Sequence, residues 1–196
     1  MKKSLLIIIG LLIITAIFGV SKYNHFVTAE ETVDEKWSQV QNVYQRRLDL
    51  IPNLVSTVKG YATHEKDTLE AVIKARSSAT KLTKEALSGV LNDPAAFQKF
   101  NQAQGALSSA LSKLMVVVER YPELKANKGF LNLQSQLEGS ENRIAVERKR
   151  FNEAVKDYNT SVRKFPGKLF AALFGFEKKN MFTADKKAQK VPEVKF

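Results

Sequence analysis

Ser4 to Ser21 reads SLLIIIGLLIITAIFGVS, an uncharged run of 18 residues. As a helix it spans about 27 Å at ~1.5 Å per residue. The apolar core of a bilayer is roughly 30 Å thick, so the run is sized to cross it. A cleaved signal peptide has a shorter apolar region, about 7–15 residues, and ends at a small-residue site. Here the only candidate site is Gly19 with Ser21, so residues 1–22 read as a retained anchor. Lys2 and Lys3 precede the run; Lys22 follows it, and then Glu30, Glu31, Asp34 and Glu35. Counting basic residues alone places the N-terminus in the cytoplasm and the rest of the chain outside it. The first expected partner is therefore the lipid bilayer.

The net charge of +11 invites a nucleic-acid reading until it is divided along the chain. Residues 163–196 carry nine Lys/Arg against Glu177, Asp185 and Glu193, and residues 1–22 carry three lysines. Residues 23–162 hold 19 basic and 17 acidic residues, a near-neutral balance. A nucleic-acid binder concentrates charge on one face of its folded body, so none is expected as partner. The absence of cysteine excludes disulfides, thiolate metal sites and cysteine nucleophiles.

From residue 28 onward the apolar residues recur at spacings of four and three. Val33, Trp37, Val40, Tyr44, Ile51, Leu54, Val58 and Tyr61 form one such stripe. Pro52 lies inside it, and a kink is expected there. A second helix runs from about Lys66 to Ser88, with Leu69, Val72, Ala79 and Ala86 inward. Asp93 and Pro94 suit the N-cap and first position of a third helix, which carries Phe97, Phe100, Leu107, Leu111, Leu114 and Val118 until Pro122 stops it. A fourth runs from about Asn127 to Phe165, with Phe130, Leu137, Ile144, Phe151, Val155, Tyr158, Val162 and Phe165 on its stripe, and Pro166-Gly167 closes it. No strand or hairpin pattern is present. Short connections between long helices imply antiparallel neighbours. The expected fold is all-α: a long antiparallel up-and-down four-helix bundle over residues 28–166, behind an N-terminal transmembrane helix. An apolar and basic C-terminal tail, residues 167–196, follows and is partly disordered.

The stripes are interrupted by polar residues. The same spacing places Arg47 on the first stripe, Arg76 on the second, Gln104 on the third, and Gln134, Glu141 and Arg148 on the fourth. A buried unpaired charge costs several kcal/mol, so a polar layer is expected inside the rod. Glu141, the sole carboxylate among the six, is its expected hub, paired with Arg76 or Arg47. Such a layer either fixes helix register or binds a ligand or proton. Alternatively, the arginines snorkel outward.

Catalytic and metal motifs are missing. A di-iron bundle needs Glu-x-x-His pairs, but Lys22 and Tyr61 stand three residues before His25 and His64. There is no phosphate-binding glycine loop and no nucleophile elbow. The reading is of a non-enzyme without metal or cofactor. The stretch Lys164–Phe176 is apolar and aromatic, with Lys164, Lys168, Lys178 and Lys179 around it. It suits either an interfacial segment on acidic lipid or phenylalanines packed on one end of the bundle.

The run from Trp37 to Val55, WSQVQNVYQRRLDLIPNLV, resembles the LemA family of bacterial membrane proteins. So do Val58–Ala62, His64-Glu65, Ala75-Arg76, Glu119–Asn127, Leu137-Glu138, Glu141-Asn142, Arg148, Asn152, Tyr158-Asn159 and Phe165-Pro166. The resemblance implies a single N-terminal membrane helix followed by an antiparallel bundle, and it brings no catalytic residues. It points to the bacterial cytoplasmic (inner) membrane, crossed once. Three functions follow as expectations. The first is a scaffold or adaptor for another envelope membrane protein, touching it through Arg46, Asp49, Asn53 and Lys59. The second is a lipid-binding module using residues 164–179. The third is a sensor ectodomain that binds a small anion at Arg47, Arg76 or Arg148.

Overall fold

A computed structural model describes residues 2–85 and 89–183. Every regular element in them is helical: α1 (Lys2–Tyr61), α2 (Lys66–Glu85), α3 (Pro94–Val118), α4 (Pro122–Lys125), α5 (Lys128–Arg163) and α6 (Gly167–Phe174). Two parts of the sequence reading, the inward Ala86 and the disordered end beyond Thr183, lie outside the described residues.

α1 runs through residues 22–28 without a break. It is one helix of 60 residues, about 90 Å long at ~1.5 Å per residue. Nothing in Tyr23–Val27 breaks a helix, and Thr28 and Thr32 turn their hydroxyls back onto the carbonyls four residues earlier. The uncharged run at its start is exposed almost throughout, for example at Leu6, Ile7 and Ile14. By length and composition it is the described helix able to cross a membrane. Pro52 stays inside the helix.

Two of the remaining helices, α3 and α5, begin where a side chain caps them. Asp93 accepts from the amides of Ala95 and Ala96 at 2.8 and 3.1 Å. Asn127 accepts from Phe130 N at 3.0 Å. Each satisfies donors that the first helical turn leaves free. Pro122 does more than stop α3: it starts the single turn α4. α5 ends at Arg163, and Lys164 adopts an extended conformation. The chain therefore leaves the stripe before Phe165, whose side chain is exposed rather than in the core.

α1 packs on α5 and α2, and α2 on α3. The buried apolar residues form two clusters. One gathers Trp37 with Phe97, Phe100, Phe151 and Phe182, and these four rings lie 5.3–6.0 Å from the tryptophan. The other is mainly aliphatic, from Leu48 through Leu69 and Leu114 to Phe130. Beyond it the far end is tied by polar contacts. Asn127 donates to the Tyr61 hydroxyl, and Glu65 accepts from the Tyr121 hydroxyl and pairs with Arg120.

Candidate functional site

Between the two clusters lies Arg47, 1% exposed. The four-three spacing turns it inward between Tyr44 and Leu48, which are both core residues. Its guanidinium donates from Nη1 to Glu141 Oε1 at 2.7 Å and to Ser108 Oγ at 2.9 Å. Nη2 donates to Gln104 Oε1 at 2.5 Å. Gln104 Nε2 passes the chain on to Thr83 Oγ1 at 3.0 Å, and Thr83 donates to the Ala79 carbonyl. One arginine thus ties α1 to α3 and α5, and through Gln104 to α2. Its Nε is buried without an acceptor among the described residues.

Above this group a groove of about 850 Å³ opens between α3 and α5. Its α3 wall carries Gln98, Asn101, Gln102 and Ser109; its α5 wall carries Glu141 and Arg148. Tyr44 lines it too, and the Arg47 guanidinium lies 5.2 Å from the Tyr44 ring. Burial pushes the Tyr44 hydroxyl above its ordinary range, against the opposing pull of Arg148 and Arg47.

Of the six residues expected in a polar layer, Arg47, Gln104 and Glu141 meet. Glu141 is not a buried hub: its side chain is 41% exposed at the groove wall, and Arg47 is the residue that is enclosed. Arg148 lies near them, half-buried, its guanidinium 4.4 Å from the Phe182 ring. Gln134 is outside the group and donates to Glu138 on its own helix.

Arg76 does something the stripes do not disclose. Its Nε donates to the Leu48 carbonyl at 2.9 Å. Leu48 is four residues before Pro52, so proline's missing N–H leaves that carbonyl without its helical donor. The arginine of α2 supplies a donor in its place, so the carbonyl that Pro52 orphans within α1 is satisfied.

Arg46, Asp49, Asn53 and Lys59 all stand on the exposed side of α1, and Asp49 accepts from Gln45 at 2.7 Å. The sequence reading assigned the segment after α6 to a partly disordered tail, with packing of its phenylalanines on the bundle end as an alternative; Phe176 and Phe182 do pack against the aromatic cluster. The segment returns along α5, where Asn159 bonds both the N–H and the carbonyl of Lys179, and Asn152 does the same for Phe182. Lys179, 4% exposed, pairs with Glu30 of α1 at 2.8 Å. The available signal was two asparagines seven apart on one helical face, next to Tyr158, which donates to the Glu177 carbonyl.

Fold and site together define a class: an all-helical protein whose lipid-length N-terminal helix continues into a packed body crossed by a polar seam. Within that class the assignment is specific. The profile described as the LemA family matches residues 36–196, and the chain belongs to this family. It is 30% identical over 175 residues to "Magnetosome protein MamQ" of Magnetospirillum gryphiswaldense, covering 82% of this chain and 64% of that one. It is 29% identical over 193 residues to "Magnetosome protein MamQ 2" of Paramagnetospirillum magneticum, covering 90% and 71%. With "Protein LemA" of Metamycoplasma hominis it shares 20% over 146 residues, covering 74% and 62%. The chain thus spans less than two thirds of the length of the first and last of these relatives.

Proposed function

We propose that this LemA-family protein is a non-catalytic scaffold or adaptor for envelope membrane proteins. It is anchored once in the bacterial cytoplasmic membrane, with its N-terminus in the cytoplasm and its body outside. The carrying observation is that the lipid-length run and the core-forming residues belong to one uninterrupted helix. A helix continuous from bilayer to core holds the body at a set distance and angle, which is what a docking platform needs.

The four long helices act as one antiparallel up-and-down rod in this reading. Supporting it, Glu30, Arg47 and Tyr61 of α1 contact Lys179, Glu141 and Asn127 in turn, so the later part of the chain descends as α1 rises. The exposed row Arg46, Asp49, Asn53 and Lys59 is the proposed contact face. A photocrosslinking residue at Asn53 or Lys59, in native membranes, should give discrete adducts with another membrane protein. A control at Val146 on α5, also exposed, should not. Uniformly absent adducts would rule out the scaffold reading.

A second reading, an anion-binding ectodomain, is favoured by the buried Nε of Arg47, which has no acceptor among the described residues, and by Arg148 in the groove wall. Small carboxylates and phosphate should then raise the melting temperature of the wild type and leave Arg148→Gln unmoved. Equal shifts in both would remove this reading.

A further inference from the structure

After Arg163 the chain doubles back so that α6 lies against α1. The turn is close: a Cβ on Gly167 would sit 2.5 Å from the Ser161 carbonyl oxygen, a distance only glycine avoids. α6 meets α1 beside the end of the uncharged run. A Cβ on Gly19 would lie 3.2 Å from the Phe170 ring, so the missing side chain is what seats that ring on α1. Phe170 also lies 5.6 Å from Phe18, and Phe174 lies 5.2 Å from Tyr23.

The other side of this segment is unpartnered. Leu169 and Leu173 stand one turn apart on α6 and are 63% and 74% exposed, and Phe165, in the turn just before the helix, is 82% exposed. Lys164, Lys168 and Lys178 are exposed around them, and Lys22 lies over the Phe18 ring on α1. An apolar row flanked by lysines on a short helix is the pattern of a segment lying in a lipid interface. Lysine stems extend along apolar surface while their charges reach the phosphates. Continuity decides the occupant. The row adjoins the exposed apolar surface of residues 5–20, and Phe18 and Gly19 belong to that run. If the run is in lipid, a helix packed on its last turn is at the level of the headgroups.

We propose that α6 is an interfacial helix that, with Phe165 of the turn before it, inserts Leu169 and Leu173 into the outer leaflet and sets the neighbouring lysines against acidic phospholipid headgroups. This rests on the reading of residues 4–21 as a membrane span. It makes the anchor a two-point attachment: α1 gives depth, and α6 resists tilt and rotation about α1.

The chain has no cysteine, so one introduced thiol carries one label. The full chain, reconstituted in phosphatidylcholine vesicles with and without phosphatidylglycerol, is labelled with an environment-sensitive fluorophore at Ile9→Cys, Leu173→Cys or Leu131→Cys. Leu131 is an exposed residue early in α5, towards the far end. Lipids carrying a nitroxide quencher should quench the labels at 9 and 173 and leave 131 bright. Adding phosphatidylglycerol should increase quenching at 173. Adding Leu169→Glu to the Leu173 reporter should abolish it without moving the melting temperature. Quenching at 9 but not at 173 overturns the inference while the span stands; no quenching at 9 overturns the span itself. Quenching at 173 that ignores phosphatidylglycerol overturns the role given to the lysines.

Discussion

Arg47 is enclosed and charged, and Glu141 is its one carboxylate partner among the described residues. Removing either side leaves the other uncompensated, which for buried pairs typically costs ~3–5 kcal/mol. Glu141 keeps part of its hydration, so Glu141→Leu should fall near about 3 kcal/mol, the low end of that range. Chemical denaturation of Arg47→Leu, Glu141→Leu and the double variant should show coupling of about 0.5–3 kcal/mol. Arg76→Leu with Glu141→Leu should be additive, because Arg76 bonds a backbone carbonyl. Tyr158 gives a pH-dependent prediction. Burial, then the charges of Glu30, Asp34 and Glu177, push its hydroxyl from 10.0 to about 12. The unfolded chain loses this proton first, so the stability contributed is complete below pH 10 and is lost as pH rises through about 12. Ultraviolet titration should show a tyrosine ionising at about 12, later than the raised Tyr44, and Tyr158→Phe should remove that last step. At this scale the stripe spacing carried Arg47, Gln104 and Glu141, which meet, but also Gln134, which does not join them, and it left out the buried Thr83, Ser140, Asn159 and Lys179. It did not disclose their exposure, which depends on how far apart α3 and α5 stand.

Among elements, α1 depends on a residue from α2. In the wild type, Arg76→Leu removes the donor to the carbonyl that Pro52 orphans, and an unsatisfied buried acceptor costs about 1–3 kcal/mol. Pro52→Ala restores the helical N–H, so the same arginine substitution should then cost measurably less. Equal costs in both backgrounds would mean that the Arg76 bond is incidental. The segment after α6 depends similarly on α5. Asn159→Ala removes two hydrogen bonds to Lys179, together worth about 1–3 kcal/mol, and amide exchange at residues 176–182 should accelerate ahead of the rest. Helices α3 and α5 were legible because caps and breakers mark them: Asp93-Pro94, Pro122 and Asn127. The return segment was not, since a strand-free stretch held by asparagine side chains has no periodicity to read. Whether one helix runs through residues 22–28 was left open, and α1 does. Lys22 and the polar residues after it marked a change of solvent, and a helix can cross that boundary without a break.

For the molecule as a whole, the claim is that one helix crosses the bilayer and then organises everything outside it. The aromatic cluster lies toward the proposed membrane end and the aliphatic one toward the far end, with Arg47 between them. The most direct test uses intact spheroplasts expressing the chain with Leu131→Cys, a membrane-impermeant maleimide, and intact-mass analysis of the extracted protein. The account predicts labelling before lysis, on a species that still contains residues 1–20. Labelling only after lysis, or a labelled species that begins beyond Ser21, would contradict it.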